Sequence, residues 1–168
     1  MNLLELTRDR YSCRAYTDEP VAPQQLEYIL ECARLAPSAV NKQPWKFRIV
    51  TSQEGKDKLR QCYKREWFAT APMYILGTVL HDEEWVRRDG KAHGNIDIAI
   101  ATEHICLAAT EQGLGSCWVC AFHADLCHEL FQLPENEEAA VIIPLGHPAG
   151  EPAEKIRKSL DEIVVRDV

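Results

Sequence analysis

The chain lacks the short signatures that would settle a function at once. It has no G-x-G-x-x-G and no G-x-x-x-x-G-K-[ST], so neither a Rossmann dinucleotide site nor a P-loop is supported. It has no H-E-x-x-H and no G-x-S-x-G, and its histidines fall into no readable catalytic order, which leaves hydrolase chemistry without a signature. No apolar run reaches the roughly 20 residues needed to span a bilayer. The opening "MNLLELTRDR" is too short and too charged for a signal peptide, and a cytoplasmic protein is expected. Low-complexity segments, long linkers and internal repeats are also missing. Positive charge is scarce: 19 Lys and Arg stand against 26 Asp and Glu, a net charge of −7. A chain this acidic is a poor general binder of phosphate backbones, so nucleic acid is not an expected partner.

What remains is 168 residues, enough for one domain (1–168) with a hydrophobic core. The seven cysteines are odd in number and show no framework spacing, as expected of thiols in a reducing compartment. Cys117 and Cys120, in "GSCWVC", have C-x-x-C spacing. That spacing fits a redox dithiol, a zinc site completed by His123 and Cys127, or two packed thiols. The apolar, aromatic context reads as strand. Positions three apart in a strand point to opposite faces, which favours packed thiols and no metal.

Pro23 suits a helix start, and Leu26, Ile29, Leu30 and Ala33 line one helical face. "WKFRIVT" alternates as a strand, and "QEGKDKLRQCY" is a polar helix. "APMYILGTVL" is a continuous apolar strand, buried on both faces. The charged segment from His81 to Gly94 reads as loop. "IDIAIATEHICLAATEQ" is apolar around most of its circumference, as a central buried helix should be, and Gly113 ends it. "SCWVCAF" is a strand candidate, "ADLCHELFQ" a short helix capped near Asp125, and "AAVIIPLGHP" a strong strand. The tail "EPAEKIRKSLDEIVVRDV" mixes a polar helix with an apolar end. The order lacks clean β-α-β alternation, which predicts α+β.

Three constellations carry chemistry. In "RDRYSCR", an extended backbone would point Arg10, Ser12 and Arg14 the same way, making a receptor for an oxyanion such as phosphate. Spacing alone fits a solvated basic turn at least as well. In "APSAVNKQPW", Ser38, Asn41 and Gln43 offer polar groups on a loop held by Pro37 and Pro44, although an ordinary helix-to-strand connection reads the same. In "GLGSCWVCAF", Gly113 and Gly115 permit a sharp turn and a close backbone approach.

In order along the chain, these segments resemble the FMN-dependent nitroreductase family in its short single-domain form. The matches are R-x-S-x-R at Arg10, Ser12 and Arg14 with Tyr16 after it; "APSAVNKQPWKFRIV"; Asp97 opening an Ala-rich helix that ends in "GLGSCW"; and "PLGHP" followed by "KIRKSLDEIV". The resemblance runs from about Leu3 to Ile163. It implies an α+β three-layer sandwich, with a mostly antiparallel central sheet flanked by helices, and an obligate homodimer with two FMN at its interface. Arg10, Ser12 and Arg157 would meet the phosphate or ribityl end, with Tyr11 beside them. Arg14 would lie near the pyrimidine or phosphate. Pro37, Ser38, Ala39, Asn41 and Gln43 would come from the partner chain. Trp118, Val119, Cys120 and Ala121 would lie along the isoalloxazine, with the amides of Cys120 and Ala121 near N5 and O4. The activity implied is ping-pong transfer from NADH or NADPH to a nitroaromatic, quinone or similar acceptor, with no catalytic side chain. A reductive dehalogenase and a flavin sensor or storage protein share these features. Tyr11, Ala39 and the aromatic "KREWFATAP" depart from the family pattern, and Trp67 and Phe68 are expected as a cover over the flavin or its channel.

Overall fold

The computed structural model describes residues 2–166, and its centre is the strand expected to be buried on both faces. All eight residues of that strand, Met73–Leu80, are buried. With the other strands numbered in chain order, β1 is Trp45–Val50, β2 is Met73–Leu80, β3 is Gly115–Ser116 and β4 is Glu137–Gly146. The sheet order is β1-β2-β4-β3, and every ladder is antiparallel. Among the described residues there are six α-helices, α1 Leu3–Asp9, α2 Pro23–Arg34, α3 Gln53–Cys62, α4 Gly94–Glu111, α5 Ala124–Phe131 and α6 Leu160–Ile163, and two 3-10 turns, Ala39–Asn41 and Glu66–Thr70. Among the described residues, no helix is long and apolar enough to cross a membrane.

Strand alternation sorts the core into two halves. Tyr74, Leu76 and Ile142 pack with Leu59 and Cys62 of α3 and Cys127 of α5. Met73, Ile75, Val79, Val141, Ile143 and Leu145 pack with Ile29 and Ala33 of α2 and with Ile98, Ile105 and Ala109 of α4. The sheet is therefore the middle of three layers, and β2 needs no polar face. α4 lies between the sheet, α1 and α2, which explains why it is apolar nearly all round.

Local sequence sets the helix ends. Pro23 opens α2, and the Gln25 side chain both accepts from Ala22 N–H at 3.0 Å and donates to Gln112 O at 3.0 Å, tying α2 to the end of α4. Past α4, Gly113 adopts φ +74°. The Leu114 N–H reaches Ala109 O at 2.8 Å and the Gly113 N–H reaches Thr110 O at 3.0 Å, a Schellman stop that a left-handed residue completes.

Gly115 serves a different need. The segment after α1 runs beside β3 through a parallel Ser12–Ser116 bridge, with Cys13 N–H donating to Ser116 O at 2.9 Å. A Cβ on Gly115 would lie 2.6 Å from Cys13 Sγ and 2.7 Å from Cys13 Cβ. Gly115→Ala is therefore expected to destabilise the fold by about 1–3 kcal/mol through overpacking. A thermal melt checks this, and an unchanged midpoint would contradict the packing argument.

Two expectations need correction. "SCWVCAF" is not one strand. Pairing with β4 stops at Ser116, and Val119 rejoins it alone, exchanging bonds of 3.0 and 2.9 Å with Ile142. The tail helix shrinks to Leu160–Ile163, with residues 151–159 irregular. Pro152 and the lack of an apolar seat within the chain leave too few contacts to hold a longer helix, and Ile156, Leu160, Ile163 and Val165 stay exposed. The last two residues of the tail reading, Asp167 and Val168, lie outside the described residues.

Candidate functional site

The N-terminal segment does not sort its side chains by simple alternation, since Tyr11 joins Arg10, Ser12 and Arg14. Cys13 is buried, whereas Arg10, Tyr11, Ser12 and Arg14 line one cavity of about 230 Å³ together with Ala153, Glu154, Lys155 and Arg157. A second hollow of about 220 Å³ continues from it along Tyr11, Ser12 and Arg14 to Gly150 and Glu151. The Tyr11 hydroxyl donates to Gly150 O at 3.4 Å. Burial, helped by the neighbouring Cys13, pushes its phenol up to about 12, so it remains a donor at neutral pH.

The cavity gathers Arg10, Arg14, Lys155 and Arg157, with the carboxylates of Glu154, Glu103, Asp9 and Glu151 lining or flanking it and the adjoining hollow. Arg10 Nε lies 3.4 Å from Glu103 Oε1 on α4 but makes no hydrogen bond, and Lys155 Nζ is buried with no partner. Burial lowers the Lys155 ammonium pKa, and the charges of Arg10 and Arg157 push it the same way against the opposing Asp9. A buried ammonium nitrogen without a partner, repelled by two guanidiniums, is the reverse of a stability device, and the cluster's chemistry fits a multiply charged oxyanion. Sequence reading missed Lys155. The signal was present: Lys155 and Arg157 are two apart in an extended stretch, the same spacing that singled out Arg10, Ser12 and Arg14.

The loop from Pro37 to Gln43 lines neither cavity. It is mounted on the start of α4 instead, where Ala39 N–H donates to Asp97 Oδ1 at 2.8 Å. Val40, Asn41 and Gln43 all have positive φ, at 53°, 56° and 52°. Ser38 Oγ accepts from Gln43 N–H at 2.9 Å, and the Gln43 side-chain amide reaches Asn41 O and Oδ1 at 3.3 Å. Val40 is exposed on a surface that a lone chain leaves bare.

The stretch from Trp118 to Ala121 follows β3, whose neighbour is Ser12, so it begins beside the cationic cavity. Val119 is fixed to β4, Cys120 and Ala121 are exposed, and Trp118 Nε1 is buried without a partner. The two C-x-x-C thiols do not converge: Cys117 is buried and Cys120 is exposed. Burial raises both thiols, which favours neither as a thiolate. Among the described residues, no three His, Cys, Asp or Glu side chains are placed to share a metal ion.

Phe68 does not cover the site. It is fully buried, with its ring centroid 4.6 Å from that of Tyr74, and belongs to the core beneath α3 and α5. Trp67 is half-buried, and its ring lies 5.9 Å from the Arg14 guanidinium carbon. It supports that cation from one side.

Comparison with known proteins gives this arrangement a context. The Nitroreductase family model matches residues 7–64 and 59–147. A nitroreductase family protein of Clostridium difficile superposes with a TM-score of 0.93 at 39% identity, covering 100% of this chain and 99% of that one. The FMN reductase [NAD(P)H] of Bacillus subtilis is 31% identical over 89% of this chain and 67% of its own length. An iodotyrosine deiodinase of Thermotoga neapolitana is 25% identical over 98% of this chain and 96% of its own. A family model matched over most of the sequence, and a solved relative of the same length and the same three layers, agree with the ordered motifs: the chain belongs to the nitroreductase family.

Proposed function

We propose that this protein is a cytoplasmic, homodimeric, FMN-dependent oxidoreductase that passes electrons from NADH or NADPH to a nitroaromatic, quinone or similar small acceptor. The cavity built from Arg10, Ser12, Lys155 and Arg157 carries this reading, because it gathers three cations, among them the buried and unpartnered Lys155 Nζ, where an anion would satisfy them. These residues would hold the FMN phosphate, with Arg14 toward the pyrimidine or phosphate. FMN, when bound, supplies hydride acceptance and release at N5. The chain's own part is placement. Trp118 and Val119 would flank the ring, and the amides of Cys120 and Ala121 would orient N5 and O4. Pro37, Ser38, Ala39, Asn41 and Gln43 would reach the flavin of the other subunit. The exposed Leu35, Val40, Ile96, Ile156, Leu160 and Ile163 support a dimer, since a monomer leaves them in water. No side-chain acid or base is required. Donor and acceptor share one place in turn, which gives ping-pong kinetics.

The purified protein is expected to be yellow, to carry about one FMN per chain, and, with oxygen excluded, to turn over NADH or NADPH repeatedly only when an acceptor is added, with parallel double-reciprocal lines. A colourless protein that takes up no FMN on reconstitution would end this reading. The similarity to an iodotyrosine deiodinase favours reductive dehalogenation as the second reading. Iodide release from an iodinated phenol, without turnover of nitroaromatics or quinones, would select it. Flavin bound without turnover of any acceptor would point to a sensor or storage protein.

A further inference from the structure

The loop from Ser38 to Gln43 holds a conformation its sequence does not favour. Positive φ is uncommon outside glycine and is least suited to a β-branched side chain, yet Val40 adopts it at 53° and Asn41 and Gln43 at 56° and 52°. The loop's backbone bonds are local: Asn41 N–H to Ser38 O at 3.0 Å and Lys42 N–H to Ala39 O at 3.1 Å. Its tie to another element is the 2.8 Å bond from Ala39 N–H to Asp97 Oδ1, across 58 residues.

Asp97 is an unusual anchor. It is 2% exposed, and its second oxygen, Oδ2, is buried with no hydrogen-bond partner. A buried carboxylate with an idle oxygen costs stability, partly offset by its place in the first turn of α4. The turn that carries it is rigidly seated. Glu84 Oε2 accepts from Gly94 N–H at 2.7 Å, and a Cβ on Gly94 would collide with Val79 Cγ1 of β2. A rigid charged acceptor therefore meets a strained loop at one amide. Strain held in this way over-determines a conformation that the loop's own bonds would not hold.

We propose that Asp97 is a positioning residue for the flavin site of the opposite subunit. Its carboxylate clamps Ala39, so that the loop, with Ser38 extended and Val40, Asn41 and Gln43 left-handed, stays in the form that receives the cofactor. This rests on the flavin reading, and on the loop serving the partner's FMN. Without the clamp the loop relaxes toward ordinary conformations, and the receiving form becomes a minority. Apparent affinity falls by the fraction that remains competent, so a drop to a few per cent raises the FMN Kd by about 10- to 100-fold.

Asp97→Ala is expected to speed hydrogen exchange at the Ala39 amide and to weaken FMN by that factor. Asp97→Asn keeps an acceptor at the Oδ1 position and should recover much of both. It also serves as the test variant if Asp97→Ala folds poorly. Mixed dimers of an Asp97→Ala chain with an Arg10→Ala, Arg157→Ala chain should regain one FMN per dimer, since one of their two sites escapes both lesions when the clamp acts across the interface. Ala39 exchange unchanged from the parent, or FMN held as tightly by Asp97→Ala as by the parent, would overturn the proposal. Mixed dimers that recover nothing would overturn its action across subunits. A parent protein that takes up no FMN would sink the flavin reading instead, and the exchange rate at Ala39 would still decide whether Asp97 clamps the loop.

Discussion

The Arg10→Ala, Arg157→Ala double variant is expected to lose its FMN during purification and to rebind it at least about 100-fold more weakly. Each guanidinium offers the phosphate a charge-assisted hydrogen bond of about 1.5–3 kcal/mol. Two of them span about 3–6 kcal/mol, or roughly 100- to 10,000-fold. Arg157 is exposed, so the low end applies. Lys155→Met sharpens the test by moving two observables in opposite directions. In the free protein Lys155 Nζ is buried, unpartnered and repelled by Arg10 and Arg157. Removing it should leave the apoprotein as stable as the parent or more so, while FMN binding weakens. A residue kept only for packing would lower both. Fluorescence titration with FMN and thermal melts of the apoprotein give the two readings. FMN retained by the double variant as tightly as by the parent would remove the phosphate assignment.

The parts of the fold legible in the sequence are those where one periodicity acts over many residues. β2, α2 and α4 each repeat a burial pattern long enough to outvote local exceptions, and their ends carry Pro23 and Gly113 as punctuation. The illegible parts are set by tertiary contact. "SCWVCAF" has strand composition, but whether Cys117 and Trp118 pair with β4 depends on what stands opposite: the register of Ser116–Leu145 and Val119–Ile142 sets Cys117 against Pro144, which has no N–H to donate, and that residue lies elsewhere in the sequence. Nothing in "SAVNKQ" announces a valine at positive φ, because the bond that holds its neighbour comes from Asp97. The cationic cavity was half visible. Arg10, Ser12 and Arg14 could be grouped by alternation, and Arg157 came with the family resemblance. Lys155 needed the tail folded back beside them. Phe68 shows the opposite error, since its aromatic neighbourhood suggested a ligand cover and the side chain is core.

The largest expected loss of stability arises at the far end of the sheet. The Glu137 side chain is fully buried and is gripped by both terminal nitrogens of Arg48 and by Thr78 Oγ1, the Arg48 Nη2 bond being 3.0 Å. Burial pushes this carboxyl up, yet the Arg48 and Thr78 bonds outweigh it and hold the pKa below the usual range. Arg48→Met leaves the carboxylate buried without its counter-charge, which costs about 3–5 kcal/mol. For a chain of this size that lowers the melting midpoint by roughly 10 °C. Replacing the pair together, Arg48→Met with Glu137→Leu, should recover most of the loss, because no charge is left stranded. The pH dependence has a definite sign. In the parent, the depressed carboxyl contributes stability that is present above its unfolded pKa, near 4, and is lost as pH falls through the lower folded value. In Arg48→Met the stranded carboxyl is raised instead, so the variant loses stability as pH rises past that unfolded pKa. The gap between the two proteins should be widest at neutral pH and narrow toward pH 4. Glu137 opens β4 and Leu145, which pairs with Ser116, lies near its other end, eight residues or about 27 Å along the strand. FMN affinity at low temperature should therefore be unchanged in Arg48→Met. A gap that stays constant with pH would show that the loss comes from packing rather than from an unpaired charge.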